Sequence, residues 1–161
     1  MRRIERTVNA VVLAALLRAL RALMRRDSRV RRAMLAYPEG YSFRLAAGMD
    51  DRDPVLAFSR RGQTLARRAP EQAAELSICF KSAEDAFRVL TGQLGIGAAY
   101  AQHRFFLRGN PNEAMGLVGA LELTEAYLFP GFWARRLMRR LPEKQCSTLI
   151  IYGGLFSPGR E

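Results

Sequence analysis

The sequence predicts an α+β domain preceded by an amphipathic helix. Three observations carry this reading. Residues 41–109 hold short segments whose apolar side chains alternate, two helix starts are marked by capping residues, and residues 13–30 repeat leucine and valine at helical spacing. A chain of 161 residues can bury one core without metal or disulfide staples. With 49% hydrophobic and 25% charged residues, its balance is that of a globular protein rather than a disordered one.

The N-terminal helix is read from its charge as much as from its leucines. The chain carries 26 basic and 15 acidic residues, a net +11, and residues 1–34 hold ten arginines against only Glu5 and Asp27. A positive charge so placed seeks an anionic partner. On a helical wheel Arg18, Arg21, Arg25, Arg29 and Arg32 form one stripe, and Leu13, Leu16, Leu20, Leu23 and Val30 form the opposite one. Such a helix either docks its leucines on the domain or lies in a lipid headgroup layer, and a helix able to undock could do both in turn. "MRRIER" followed by "AVVLAALL" has the look of a signal peptide, but arginines stand where a cleavage site should be, so secretion is not expected. Eight uninterrupted apolar residues also fall short of the roughly 20 that span a bilayer. Residues 1–36 are therefore set apart as a basic helical segment, 37–156 as the domain, and 157–161 as a tail.

The domain's elements follow in order. "YSFRLAA" (41–47) puts Tyr41, Phe43 and Leu45 on one strand face. "VLAFSRR" (55–61), Gly62 and "QTLARRA" read as a hairpin, and "AELSICFKS" (74–82) alternates Leu76, Ile78 and Phe80 against Ser77, Cys79 and Lys81. Strands so close in sequence predict a meander-like antiparallel sheet. Ser82 with Asp85 opens a helix that closes at Gly92, and residues 92–102 give a glycine-interrupted turn and a short helix. "HRFFLRG" (103–109) is a fifth strand with His103, Phe105 and Leu107 on one face. Asn110, Pro111 and Glu113 then start a helix running to about Tyr127. A break at Pro130 and Gly131 precedes another basic helix, and a short strand is expected near 149–152.

No catalytic residue and no metal or cofactor site is expected. Cys79 and Cys146 stand in no CxxC, and the single histidine, His103, completes neither a zinc set nor a triad. The glycines at 92, 95 and 97 do not match a dinucleotide fingerprint. Glu122 and Glu125 read as solvated acids on a helix face, and "MDDRD" (49–53) as a turn. What remains is a surplus of large apolar side chains interleaved with small residues, which either fills a core or walls a lipid-sized cavity.

Residues 74–121 resemble the sterol carrier protein-2 family. The resemblance lies in "AELSICFKSAEDAFRVLTGQL", a strand, a serine-acid cap and a helix ending in glycine, followed by "YAQHRFFLRGNPNEAMGL", a strand ending in glycine and a long helix. It is nearest in flavour to bacterial accessory proteins of ubiquinone biosynthesis. The resemblance implies a twisted sheet of about five strands, helices on one face, and an apolar tunnel between them. It implies non-enzymatic binding, presentation or transfer of a hydrophobic lipid, an isoprenoid quinone precursor, acyl lipid or sterol, without a cofactor and with lipid-modifying enzymes as partners. The lipid-contacting set is then Phe80, Phe87, Leu90, Leu94, Tyr100, Phe105, Leu107, Met115, Leu117, Leu121, Tyr127, Phe129, Phe132 and Trp133, with His103 at the rim. Arg18, Arg21, Arg25, Arg29, Arg135, Arg136, Arg139 and Arg140 would meet an anionic membrane surface on the cytoplasmic side. A scaffold without a lipid ligand is the alternative. Nucleic-acid binding, suggested by charge alone, lacks a recognised motif.

Overall fold

A computed structural model of the chain describes residues 2–128. The elements expected beyond Leu128, with Phe129, Phe132, Trp133 and Arg135, Arg136, Arg139 and Arg140, lie outside the described residues.

Helix α1 spans Arg2–Arg26 and α2 Ser28–Leu35. The inner stripe of α1 is buried, with Leu13 at 3%, Leu16 at 1% and Leu20 and Leu23 at 0% exposure. The single helix expected from the wheel is therefore split. Asp27 takes extended backbone (φ −112°, ψ 115°) and caps α2 by accepting from the Arg29 N–H, so the chain changes direction there and Arg29 and Arg32 leave the α1 stripe. By length and composition α1 could also cross a membrane, contrary to the count of uninterrupted apolar residues. Its leucines nevertheless share one core with the sheet and α2.

The strands are β1 Ser42–Ala46, β2 Val55–Arg61, β3 Thr64–Arg67, β4 Leu76–Phe80 and β5 Phe105–Arg108. They pair in the order β3-β2-β1-β4-β5. The sheet is mixed, which corrects the antiparallel meander: β4 pairs with β1, and in parallel. Two contacts account for this. The Glu75 carboxylate accepts from the Ser42 N–H at 2.8 Å and from the Ser42 hydroxyl, tying the start of β4 to the start of β1. The connection from β3 meanwhile passes by Arg44, whose Nε donates to the Pro70 carbonyl. Gly109 ends β5 at φ +117°, and a Cβ there would lie 2.5 Å from the Glu75 carbonyl oxygen, so only glycine fits.

Register places Phe43, Leu45, Leu56, Phe58, Leu76, Ile78, Phe80, Phe105 and Leu107 on one face. Helices cover that face. α1 packs on β2, β3 and on α3 (Ala83–Leu90), while α5 (Pro111–Leu128) packs chiefly on α1 and α2. Ser82 and Asn110 cap α3 and α5 as expected, Ser82 accepting from the Asp85 N–H and Asn110 from the Asn112 N–H. A short α4, Ile96–Ala101, precedes β5. An aromatic column ties α5 to the sheet: Tyr37 donates to the Glu113 carbonyl, Tyr41 to the Glu113 carboxylate, and both rings meet Phe43, which stacks on Phe58 at 5.0 Å.

Candidate functional site

The apolar residues singled out from the sequence converge in part. Phe80 and Phe105 are directly opposed across β4 and β5, and their rings meet edge to face at 5.6 Å. Leu90, Leu117, Leu121 and Tyr127 belong to the same buried cluster, and Leu94 and Leu107 pack half-buried against it. Phe87 is half-buried at the wall of a separate cleft. Tyr100 and Met115 point outward, 55% and 69% exposed, although the Tyr100 ring still touches Phe105. Phe106, on the opposite sheet face, is 52% exposed beneath the Lys81 ammonium.

His103 does not sit on a strand. It is an exposed turn residue at φ 54°, where α4 ends in the left-handed conformation, and β5 begins two residues later. Glu122 and Glu125 also differ from the solvated pair expected. Glu122 is exposed, but Glu125 is half-buried, and burial with the Glu122 charge beside it pushes its carboxyl up to about 8.

The cleft beside Phe87 has a volume of about 590 Å³ and lies between the start of α1, the 49–53 turn and α3. Its walls mix Arg6, Lys81 and Arg88 with Glu5, Asp50, Asp53 and Glu84 and with Met49 and Phe87, so it is a charge-lined hollow of mixed character rather than a purely apolar chamber. Arg6 bridges Asp53 at 2.7 Å and Asp50 at 3.0 Å, which fixes the acidic turn against the helix. Behind it, buried Asn9 donates to the Ala83 carbonyl at 2.9 Å and pins α1 to α3.

Two groupings escaped the sequence. Asp27, fully buried, accepts from the Arg29 guanidinium at 2.8 Å and from the Tyr127 hydroxyl at 2.9 Å. The cue was an acid followed by serine inside a run of arginines, a helix-start pattern hidden by the wheel. Arg67, at the end of β3, lies beside the α1 arginines, and no periodicity links it to them.

No family model matches the chain, and no curated protein matches its sequence. Among solved structures the chain is similar to a "UbiJ-SCP2 Ubiquinone synthesis protein", with 12% identity over 71% of this chain and 96% of that one, at a TM-score of 0.52. It is also similar to sterol carrier protein 2 like 2 from Aedes aegypti, with 14% identity over 58% of this chain and 93% of that one, at a TM-score of 0.38. The chain thus has the fold of the UbiJ-SCP2 protein, an α+β domain of sterol-carrier type, as the strand-helix-strand-helix order of residues 74–121 implied.

Proposed function

We propose that the protein is a non-enzymatic carrier that binds a hydrophobic lipid and presents it at the cytoplasmic surface of an anionic membrane, as an accessory to quinone synthesis. The observation that carries this reading is the fold shared with a ubiquinone synthesis protein across nearly all of that protein's length. The ligand's place is the apolar layer between sheet and helices, around Phe80, Phe105, Leu117 and Leu121. An isoprenoid or acyl chain entering that layer gains about 0.8 kcal/mol per buried methylene, and transfer requires no bond to be made or broken. The head group stays at the edge of the domain, within reach of a lipid-modifying enzyme.

Native mass spectrometry of the purified chain, followed by solvent extraction, tests the reading. A stoichiometric isoprenoid quinone precursor is the expected passenger. Phe105→Glu and Leu121→Glu should each abolish its retention, with thermal unfolding confirming that the variants fold. A protein that stays empty after incubation with lipid vesicles would refute the carrier reading in favour of a scaffold.

A further inference from the structure

Arg6, Arg29, Arg60, Arg88 and Arg104 each hold a carboxylate within ion-pair distance. Among the described residues Arg21, Arg25 and Arg67 hold none, and they meet Arg18 at one corner of the molecule. Arg21 lies three residues from Arg18 and four from Arg25, which places the three on one side of α1. Its Nε donates to the carbonyl of Leu65 on edge strand β3 at 2.7 Å. That bond brings the helix against β3, where Arg67 shares the face of Leu65 and so projects toward α1. Partial burial, then the charges of Arg67, Arg18 and Arg25, hold the Arg21 guanidinium below the usual arginine range. Arg21, Arg25 and Arg67, three cations with no carboxylate at ion-pair distance among the described residues, make the α1–β3 corner a surface for phosphates, which arginine grips through its planar fork.

The rest of the same stripe is apolar. Ile4, Val11, Arg18 and Arg25 follow at steps of seven, nearly in line along the helix. Ile4 is 69% and Val11 64% exposed, while the opposite side of α1 is closed in the core. An exposed line that runs from aliphatic to cationic matches the interfacial layer of a bilayer, with acyl chains beneath and phosphates above.

We infer that the outer stripe of α1, together with Arg67 of β3, is the surface that seats the protein on an anionic phospholipid bilayer. The arginines meet headgroup phosphates, and Ile4 and Val11 enter the interface. The inference deepens the carrier reading, since it supplies the membrane contact that reading requires. The inner leucines stay docked throughout, so seating needs no undocking of the helix.

Flotation of the full chain with phosphatidylcholine vesicles, with and without phosphatidylglycerol, tests this. Association should require phosphatidylglycerol and weaken with added salt. Arg25→Gln with Arg67→Gln, both exposed, should lower it on the order of tenfold. Val11→Ser should lower it severalfold at unchanged melting temperature, and Arg44→Gln, on the sheet face away from the helices, should leave it intact. Equal losses for Arg44→Gln and the Arg25/Arg67 pair, or no loss for the pair, would overturn the assignment. So would release from vesicles by inorganic phosphate at matched ionic strength, which marks a soluble phosphate compound as the ligand. Single-stranded RNA bound as tightly as vesicles, through the same arginines, would overturn it as well. Normal flotation by a protein carrying no lipid would uphold the seating surface while refuting the carrier.

Discussion

A carboxylate with no exposed surface persists at the α1–α2 junction because every lone pair it offers has a donor nearby. Burial pushes the Asp27 carboxyl up, but the Arg29 side chain, the Arg29 N–H and the Tyr127 hydroxyl more than offset this and hold it below the usual aspartate range. Its contribution to stability is thus complete above about pH 4, the ordinary aspartate value, and is lost as pH falls below it. Tyr127→Phe should destabilise the fold by about 1–3 kcal/mol in a denaturant titration, and Asp27→Asn should flatten the acid limb of the stability profile. Glu125 has the opposite sign. Its folded value near 8 exceeds that of the unfolded chain, so the fold favours the protonated form and loses stability as pH rises toward 8. Glu125→Gln should therefore melt higher than the parent at pH 8, with the difference closing toward pH 5. Neither behaviour was legible in the sequence, because both depend on what surrounds the carboxyl rather than on which residues stand beside it in the chain.

At the level of elements, α1 shows one helix serving two surfaces. Leu20 lies in the core, so Leu20→Ala should cost about 2–5 kcal/mol in chemical denaturation. The wheel placed Leu13, Leu16, Leu20 and Leu23 on the inner side, since periodicity reports a buried face directly. It failed beyond Arg26, where a single capped residue resets the phase, as Asp27 does. The strands tell a similar story. Their alternation located all five and put Phe80 and Phe105 on the apolar faces of their strands. The partner of each strand was another matter, because alternation is identical in parallel and antiparallel pairs. The Glu75–Ser42 and Arg44–Pro70 contacts, between residues 33 and 26 positions apart, accompany the pairing of β4 with β1.

For the whole molecule, local signals carried the order of elements and the fold they compose, as the capped helices after Ser82 and Asn110 attest. What local signals omit is where distant segments meet. The α1–β3 corner, the cleft at the start of α1 and the Asp27–Tyr127 bond all join parts of the chain more than 40 residues apart. Their assembly has a cost in time, because contacts between remote residues form slowly. During synthesis the N-terminus emerges first, and Tyr127, the partner of Asp27 from 100 residues further along, is made long afterwards. Until α5 and the sheet arrive, the leucines of α1 have nothing to cover them. The nascent chain thus presents the 25 cationic, leucine-rich residues of α1 with their apolar side chains uncovered, and a chaperone or bilayer near the ribosome's exit meets that segment before the domain exists.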